Sequence, residues 1–255
     1  MVPALFVTAP HASAELPEWL APRLAAPRES LSEAVDPGTA EVAAALGAEA
    51  VQLGEVSRLV CDLDQELPDD NRPDRRFSVE DAGGRALWVE PLSWTERERL
   101  VREVYRPWYQ QARDTREGLI RRFGRLAHLD LNAWRLADSP EGQAQRDQPL
   151  LMLANGGYPD TAEGERVSCA PPVVRALAAQ LSAAFSTPVG INQRFKGGGV
   201  IRTFGHHPGS TLQLTWQAHL VCGPDERGPD PTLTAAFAAT LHSAVRAWLH
   251  GLMTR

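Results

Sequence analysis

A chain of 255 residues with 43% hydrophobic content can bury one large core, and a single domain over 1–255 is expected. Its net charge of -6 offers no basic field to nucleic acid or anionic lipid, so neither is an expected partner. No apolar run approaches the roughly 20 residues that cross a bilayer, and no positively charged stretch precedes the first apolar segment, so a soluble, cytoplasmic protein is expected.

In chain order, the apolar runs Ala4 to Thr8, Ala50 to Leu53, Arg58 to Leu63, Leu126 to Asn132, Leu150 to Ala154, Val189 to Asn192, Val200 to Phe204 and Thr211 to Leu220 read as strands. Between the first two, Gly38 to Leu46 has helical spacing and stops at Gly47. The longest helix begins at Ser93, with Glu96 placed to complete a capping box. Leu100, Val104, Trp108 and Ala112 then share one face, and Pro107 is expected to kink or divide the helix. Pro172 to Phe185 and Pro231 to Leu249 are two further amphipathic helices. Strands alternating with helices predict an α/β fold, a central mixed, largely parallel sheet flanked by helices on both faces. The segments 66–86 and 134–148 read as long loops, of the kind that serve as lids or as surface decoration. Three cysteines, Cys61, Cys169 and Cys222, are too few and too scattered for a disulfide framework or a Cys-x-x-Cys metal site.

Several segments carry residues suited to chemistry. His11 in Pro10-His11-Ala12-Ser13 follows the first strand, at the carboxyl end where open α/β sheets bind ligands. Asp36 precedes Pro37-Gly38 and is either a helix cap or a ligand. Strand alternation places His128, Asp130 and Asn132 on one face, with Asn132 at the carboxyl end. His128 lies about 13 Å further down the strand and cannot stand in for it. Near the C-terminus, Lys196-Gly197-Gly198 and Arg202 put two cations beside a glycine-rich turn, which suits a ligand with carboxylates. His206 and His207 follow in a turn, where tandem histidines are more often surface residues than ligands.

Taken in order, Pro10-His11-Ala12-Ser13, Ser57-Arg58-Leu59-Val60-Cys61-Asp62, the strand through Asp130 and Phe195-Lys196-Gly197-Gly198 resemble the N-formylglutamate amidohydrolase family, zinc-dependent amide hydrolases with a fold like the zinc carboxypeptidases. The resemblance implies one zinc ion, with His11 and Asp36 as ligands, and Arg58, Lys196, Gly197, Gly198 and Arg202 around an N-acylated acidic amino acid. The chain departs from the pattern at active positions. Asn132 stands where the family has a metal-binding histidine, and Thr215 where it has the glutamate that acts as base. Thr203 replaces a further histidine, Gly199 an aromatic, Tyr109 a histidine on the long helix, and Asp64-Gln65 an Asn-Arg pair. If the chemistry is retained, His206 or His207 supplies the missing ligand, Glu15 or another nearby carboxylate serves as base, Arg202 joins the catalytic group, and Asn132 and Thr215 line the substrate site. Arg72, Arg75 and Arg76 are candidate replacement cations, or a solvated charge run. The alternative is a homologue that binds a small acidic ligand or a partner protein without turnover.

Overall fold

Two buried central strands fix the architecture. β1 (Ala4–Ala9) is buried along its whole length. In the computed structural model, which describes residues 2–66, 74–135, 148–206, 209–224 and 228–253, β1 pairs in parallel with β2 (Ala50–Leu53) and with β3 (Leu126–Trp134). β4 (Leu151–Ala154) and β5 (Val189–Ile191) pair in parallel with each other. β6 (Ser210–Gln217) closes the set, parallel to β3 and antiparallel to β4. The strand order is β2-β1-β3-β6-β4-β5, a mixed, largely parallel sheet.

The period of two along a strand gives each face its own character. One face presents Leu5, Val7, Ala9, Leu129, Leu131, Leu212, Leu214 and Trp216 to an apolar layer. That layer contains α2 (Thr39–Ala45), α5 (Pro171–Phe185), α7 (His219–Cys222) and α8 (Pro231–Gly251), with α8 packed on the other three. The opposite face packs through Phe6 and Leu126 on α3 (Trp94–Leu100), α4 (Arg106–Phe123) and α6 (Gly199–Phe204). A short α1 (Arg28–Glu33) precedes α2. On this second face β3 and β6 carry His128, Asp130, Asn132, Thr211, Gln213 and Thr215, all buried, so the middle of the sheet holds a polar stripe inside an apolar shell.

Several sequence expectations change here. Ser93 and Glu96 form the full capping box of α3. Pro107 does not break the long helix; a π-helical turn at Val101–Tyr105 precedes it and α4 runs on to Phe123. Widening the turn ahead of the proline accommodates the ring and the missing N–H. Arg58 to Leu63 forms turns and no strand, its apolar residues being buried against the helical layer. Val200 to Phe204 lies in α6, and the last strand ends at Gln217, short of Leu220. Asp36 does not cap α2: Gly38 occupies that position without a side-chain cap. Parts of the predicted loops 66–86 and 134–148 lie outside the described residues, as do Arg72 and His207. The three cysteines are buried, and no helix among the described residues is long and apolar enough to cross a membrane.

Candidate active site

The parallel strands β1, β3 and β6 deliver their carboxyl ends to one edge of the sheet, and the turn after β1 places His11 there. Gly54 makes that turn possible: a Cβ at this position would lie 2.0 Å from the Pro10 carbonyl oxygen. His11 is buried between two carboxylates. Its Nε2 lies 2.8 Å from Asp62 Oδ1, and its Nδ1 lies 3.4 Å from Asp36 Oδ2. Asp36 also accepts from the Ala133 backbone N–H at 2.9 Å, which ties the loop before α2 to the end of β3. Arg58 bridges both carboxylates, 3.2 Å from Asp36 and 3.7 Å from Asp62. Burial and Arg58 oppose a charge on His11, but Asp62 and Asp36 outweigh them and raise its pKa to about 10. Burial likewise opposes charge on Asp62, yet His11 and Arg58 pull its pKa down to about 2.

Beneath this cluster the polar stripe forms a directional chain. Arg116 can only donate, so at 2.7 Å it makes His128 Nδ1 an acceptor and leaves the proton on Nε2. That nitrogen donates to Thr8 Oγ1 at 2.9 Å, and the Thr8 hydroxyl donates to Asp130 Oδ1 at 2.6 Å. Asn132 Nδ2 donates to the other oxygen of Asp130 at 3.0 Å. Burial and Arg116 hold His128 far below its usual pKa, consistent with this neutral tautomer. Asn132 is thereby fixed in orientation from below.

The segment Leu63–Gln65 forms the other wall. Tyr109 on α4 donates to the Leu63 carbonyl at 2.7 Å, and Tyr105, in the π-helical turn, donates to that of Gln65 at 2.8 Å. Asp64 between them accepts from the Val200 N–H at 3.1 Å. Its carboxylate packs so closely on Gly198 that a Cβ there would lie 1.7 Å from Oδ2. Burial, opposed by His11, raises the pKa of Asp64 to about 6. A cavity of about 450 Å³ lies between these walls, lined by His11, Asp36, Arg58, Asp64, Asn132 and Thr215 and, at the glycine-rich loop, by Arg194, Lys196 and Arg202.

Residues 3–221 match the family described as N-formylglutamate amidohydrolase. The chain belongs to that family. Two solved structures share its fold. An N-formylglutamate amidohydrolase from Ralstonia eutropha JMP134 aligns with a TM-score of 0.76 at 18% identity, over 97% of this chain and 94% of its own. A gene product from Agrobacterium tumefaciens aligns with a TM-score of 0.75 at 17% identity, over 98% of this chain and 92% of its own. No curated protein matches the chain in sequence.

Among the residues singled out from the N-formylglutamate amidohydrolase pattern, His11, Asp36, Arg58, Asn132, Lys196, Gly197, Gly198, Arg202 and Thr215 all line the one cavity. Two others do not join them. Glu15 is exposed and does not line the cavity; Ser13 Oγ accepts from its backbone N–H, and its carbonyl accepts from Ser57 N–H. His206 is exposed in an adjoining cavity of about 300 Å³, on the far side of the wall made by Lys196, Gly197 and Arg202. Arg202 is engaged elsewhere, its Nε 2.7 Å from Glu66 and one terminal nitrogen donating to the Gly197 carbonyl at 2.9 Å. Arg76 is buried, paired with Asp74 at 2.8 Å and stacked against Phe77 and Tyr105, so it braces the loop and supplies no cation to the cavity. Asp64 and Arg194 are the cavity residues that motif reasoning passed over. In the sequence Asp64 reads only as the replacement for an asparagine, and Arg194 only as the residue that opens the glycine-rich segment.

Whether a metal fits can be judged from His11. Its Nδ1 is buried, has no hydrogen-bond partner and faces Asp36 Oδ2. With Nε2 engaged by Asp62, only a proton or a metal cation prevents a lone pair on Nδ1 from meeting a carboxylate oxygen. Zinc bonds of about 2.0–2.2 Å at a tetrahedral angle separate two ligand atoms by roughly 3.4 Å, and the observed spacing is 3.4 Å. A carboxylate on the far ring nitrogen is the usual support of a metal-bound histidine. Among the described residues no group of three His, Cys, Asp or Glu side chains is placed to hold a metal, and His11 and Asp36 are the pair whose spacing fits two ligands of one ion.

Proposed function

We propose that this crevice hydrolyses the amide bond of a small N-acylated amino acid bearing a carboxylate, with one zinc ion on His11, Asp36 and Asn132. Membership of the N-formylglutamate amidohydrolase family supports amide hydrolysis, and the observation that carries the metal-dependent form is the 3.4 Å approach of the buried His11 Nδ1 to Asp36 Oδ2. When bound, zinc supplies a Lewis acid for the amide carbonyl and lowers the pKa of a bound water.

The chain's own residues do the rest. Asp62 holds His11 Nε2 and so fixes which nitrogen faces Asp36. Arg58 orients Asp36 and Asp62 and helps keep Asp62 ionised. Asp64 takes the role that Thr215 cannot fill and Glu15 is too remote to fill. Its carboxyl lines the cavity with a pKa of about 6, near the neutral range that suits a general base. Asn132, held by Asp130, presents an oxygen that is a hard, weak donor, so zinc is expected to exchange more readily than from a site with two histidines.

Elemental analysis of protein purified without chelator, with N-formylglutamate hydrolysis assayed in parallel, tests this reading. About one zinc per chain and release of formate are expected from the wild type, both lost in His11→Ala. Zinc absent from both proteins after incubation with zinc chloride would sink the metal-dependent reading, and failure to hydrolyse any N-acyl amino acid would sink the reaction.

A further inference from the structure

The charges around the cavity are matched at its floor and unmatched at its mouth. At the floor, Arg58 answers Asp36 and Asp62. On the glycine-rich loop, Arg202 answers Glu66. Arg194 and Lys196 also line the cavity, and among the described residues neither has a hydrogen-bond or ion-pair partner. Two cations without counter-charge at the opening of a pocket attract an anionic group.

Arg194 differs from a solvated surface arginine in being held. Its guanidinium carbon lies 4.5 Å from the centre of the Trp134 ring and 5.4 Å from that of Phe195. Trp134 is the buried last residue of β3, so the ring is as rigid as the sheet. The ring contact uses none of the guanidinium's N–H groups in a hydrogen bond, which leaves the fork for a planar acceptor. The loop is anchored at its other end, where Gly198 abuts Asp64 and the Gly199 and Val200 N–H groups bond to that residue. Sheet and helical layer together thus fix where this cation points. Arg202, the arginine the motif singles out, is already paired with Glu66 and tied to the Gly197 carbonyl, so part of its fork is engaged and its charge is answered.

We propose that Arg194, stacked on Trp134, is the specificity-determining residue of the crevice and binds a substrate carboxylate in bidentate fashion, with Lys196 adding a second positive charge. The proposal rests on the amide-hydrolase reading for the identity of the substrate, but carboxylate binding is measurable without turnover. Glutarate, a dicarboxylate with no amide to cleave, is the probe, read by titration calorimetry. Wild type is expected to bind glutarate and to bind the uncharged glutaramide far more weakly. Arg194→Gln should weaken glutarate binding by about 10- to 100-fold, the range for loss of charged hydrogen bonds. Arg194→Lys should recover only part of it, since lysine keeps the charge but loses the planar fork. In turnover, Arg194→Gln should raise KM for N-formylglutamate and leave kcat nearly unchanged.

Glutarate bound equally well by wild type and a folded Arg194→Gln protein, or not bound by wild type at all, overturns the proposal. The two readings separate cleanly. Arg194-dependent glutarate binding by a protein that cleaves no N-acyl amino acid would keep the anion site and remove the reaction, whereas hydrolysis indifferent to Arg194 would do the reverse.

Discussion

Asp64 joins function and stability with opposite signs. Its folded-state pKa of about 6 exceeds the ordinary 3.8, so between those values the folded protein keeps a proton that the unfolded chain has released. Stability therefore falls as pH rises through that window. Asp62, lowered to about 2, behaves oppositely: its contribution is present above 3.8 and is lost as pH falls toward 2. Asp64→Asn keeps an acceptor for the Val200 N–H and removes the titration. Thermal melts should show the variant gaining on wild type steadily from pH 4 to pH 6.5, while its kcat falls about 10²- to 10⁴-fold. Gain in Tm that does not grow with pH would show that Asp64 is not held protonated by burial. At this scale the sequence is legible where a residue follows a strand. His11 and Asn132 were placed by the alternation and ends of β1 and β3, and Asp36 by resemblance. Glu15 is not legible in this way because nothing periodic governs the loop that carries it, nor is Asp64, whose burial comes from Gly198 and Val200, more than 130 positions away in the chain.

At the scale of single elements, local chemistry was readable when it was self-contained. Ser93 and Glu96 form their reciprocal bonds within one turn, the side chain of Ser93 accepting from Glu96 N–H and that of Glu96 accepting from Ser93 N–H. Ser93→Ala should cost about 1 kcal/mol, checked as a lowered midpoint in urea with an unchanged slope. Short apolar runs were harder. Val200-Ile201-Arg202-Thr203-Phe204 has the β-branched content of a strand, yet it forms α6 because Asp64 captures the N–H of Val200 and positions the first turn. Arg58 to Leu63 looks apolar because Val60, Cys61 and Leu63 are buried under the helical layer, and burial alone cannot be told from strand pairing. The π-helical turn left no mark beyond Pro107, although it bears Tyr105, one of the two hydroxyls that hold the wall of the site.

For the whole molecule, α8 is the element that locks the apolar layer, packing on α2, α5 and α7. Trp248 is buried in it and its indole N–H donates to the Val173 carbonyl at 3.1 Å. Trp248→Ala removes that bond and opens a cavity, so a loss of about 3–5 kcal/mol is expected in equilibrium unfolding. The far-UV spectrum should keep its α/β character below the transition. Composition and alternation disclose the α/β class and all six described strands, with two runs too many, because those signals are local. They carried no information on strand order, in particular on β6 lying between β3 and β4.

That order governs how the protein is born. β3 finds its inner neighbour only when β6 exists, and the register joins Ala127 to Ser210 and Asn132 to Thr215. A ribosome must therefore add some eighty further residues after β3 before its open edge is covered. Throughout that interval β3 has one edge without its partner strand, the form most prone to mispairing with another chain. Contacts of such long sequence separation also make for slow folding. Asn132 and Thr215 meet as neighbours only at that late pairing, so the floor of the crevice is among the last parts of the molecule to come into being.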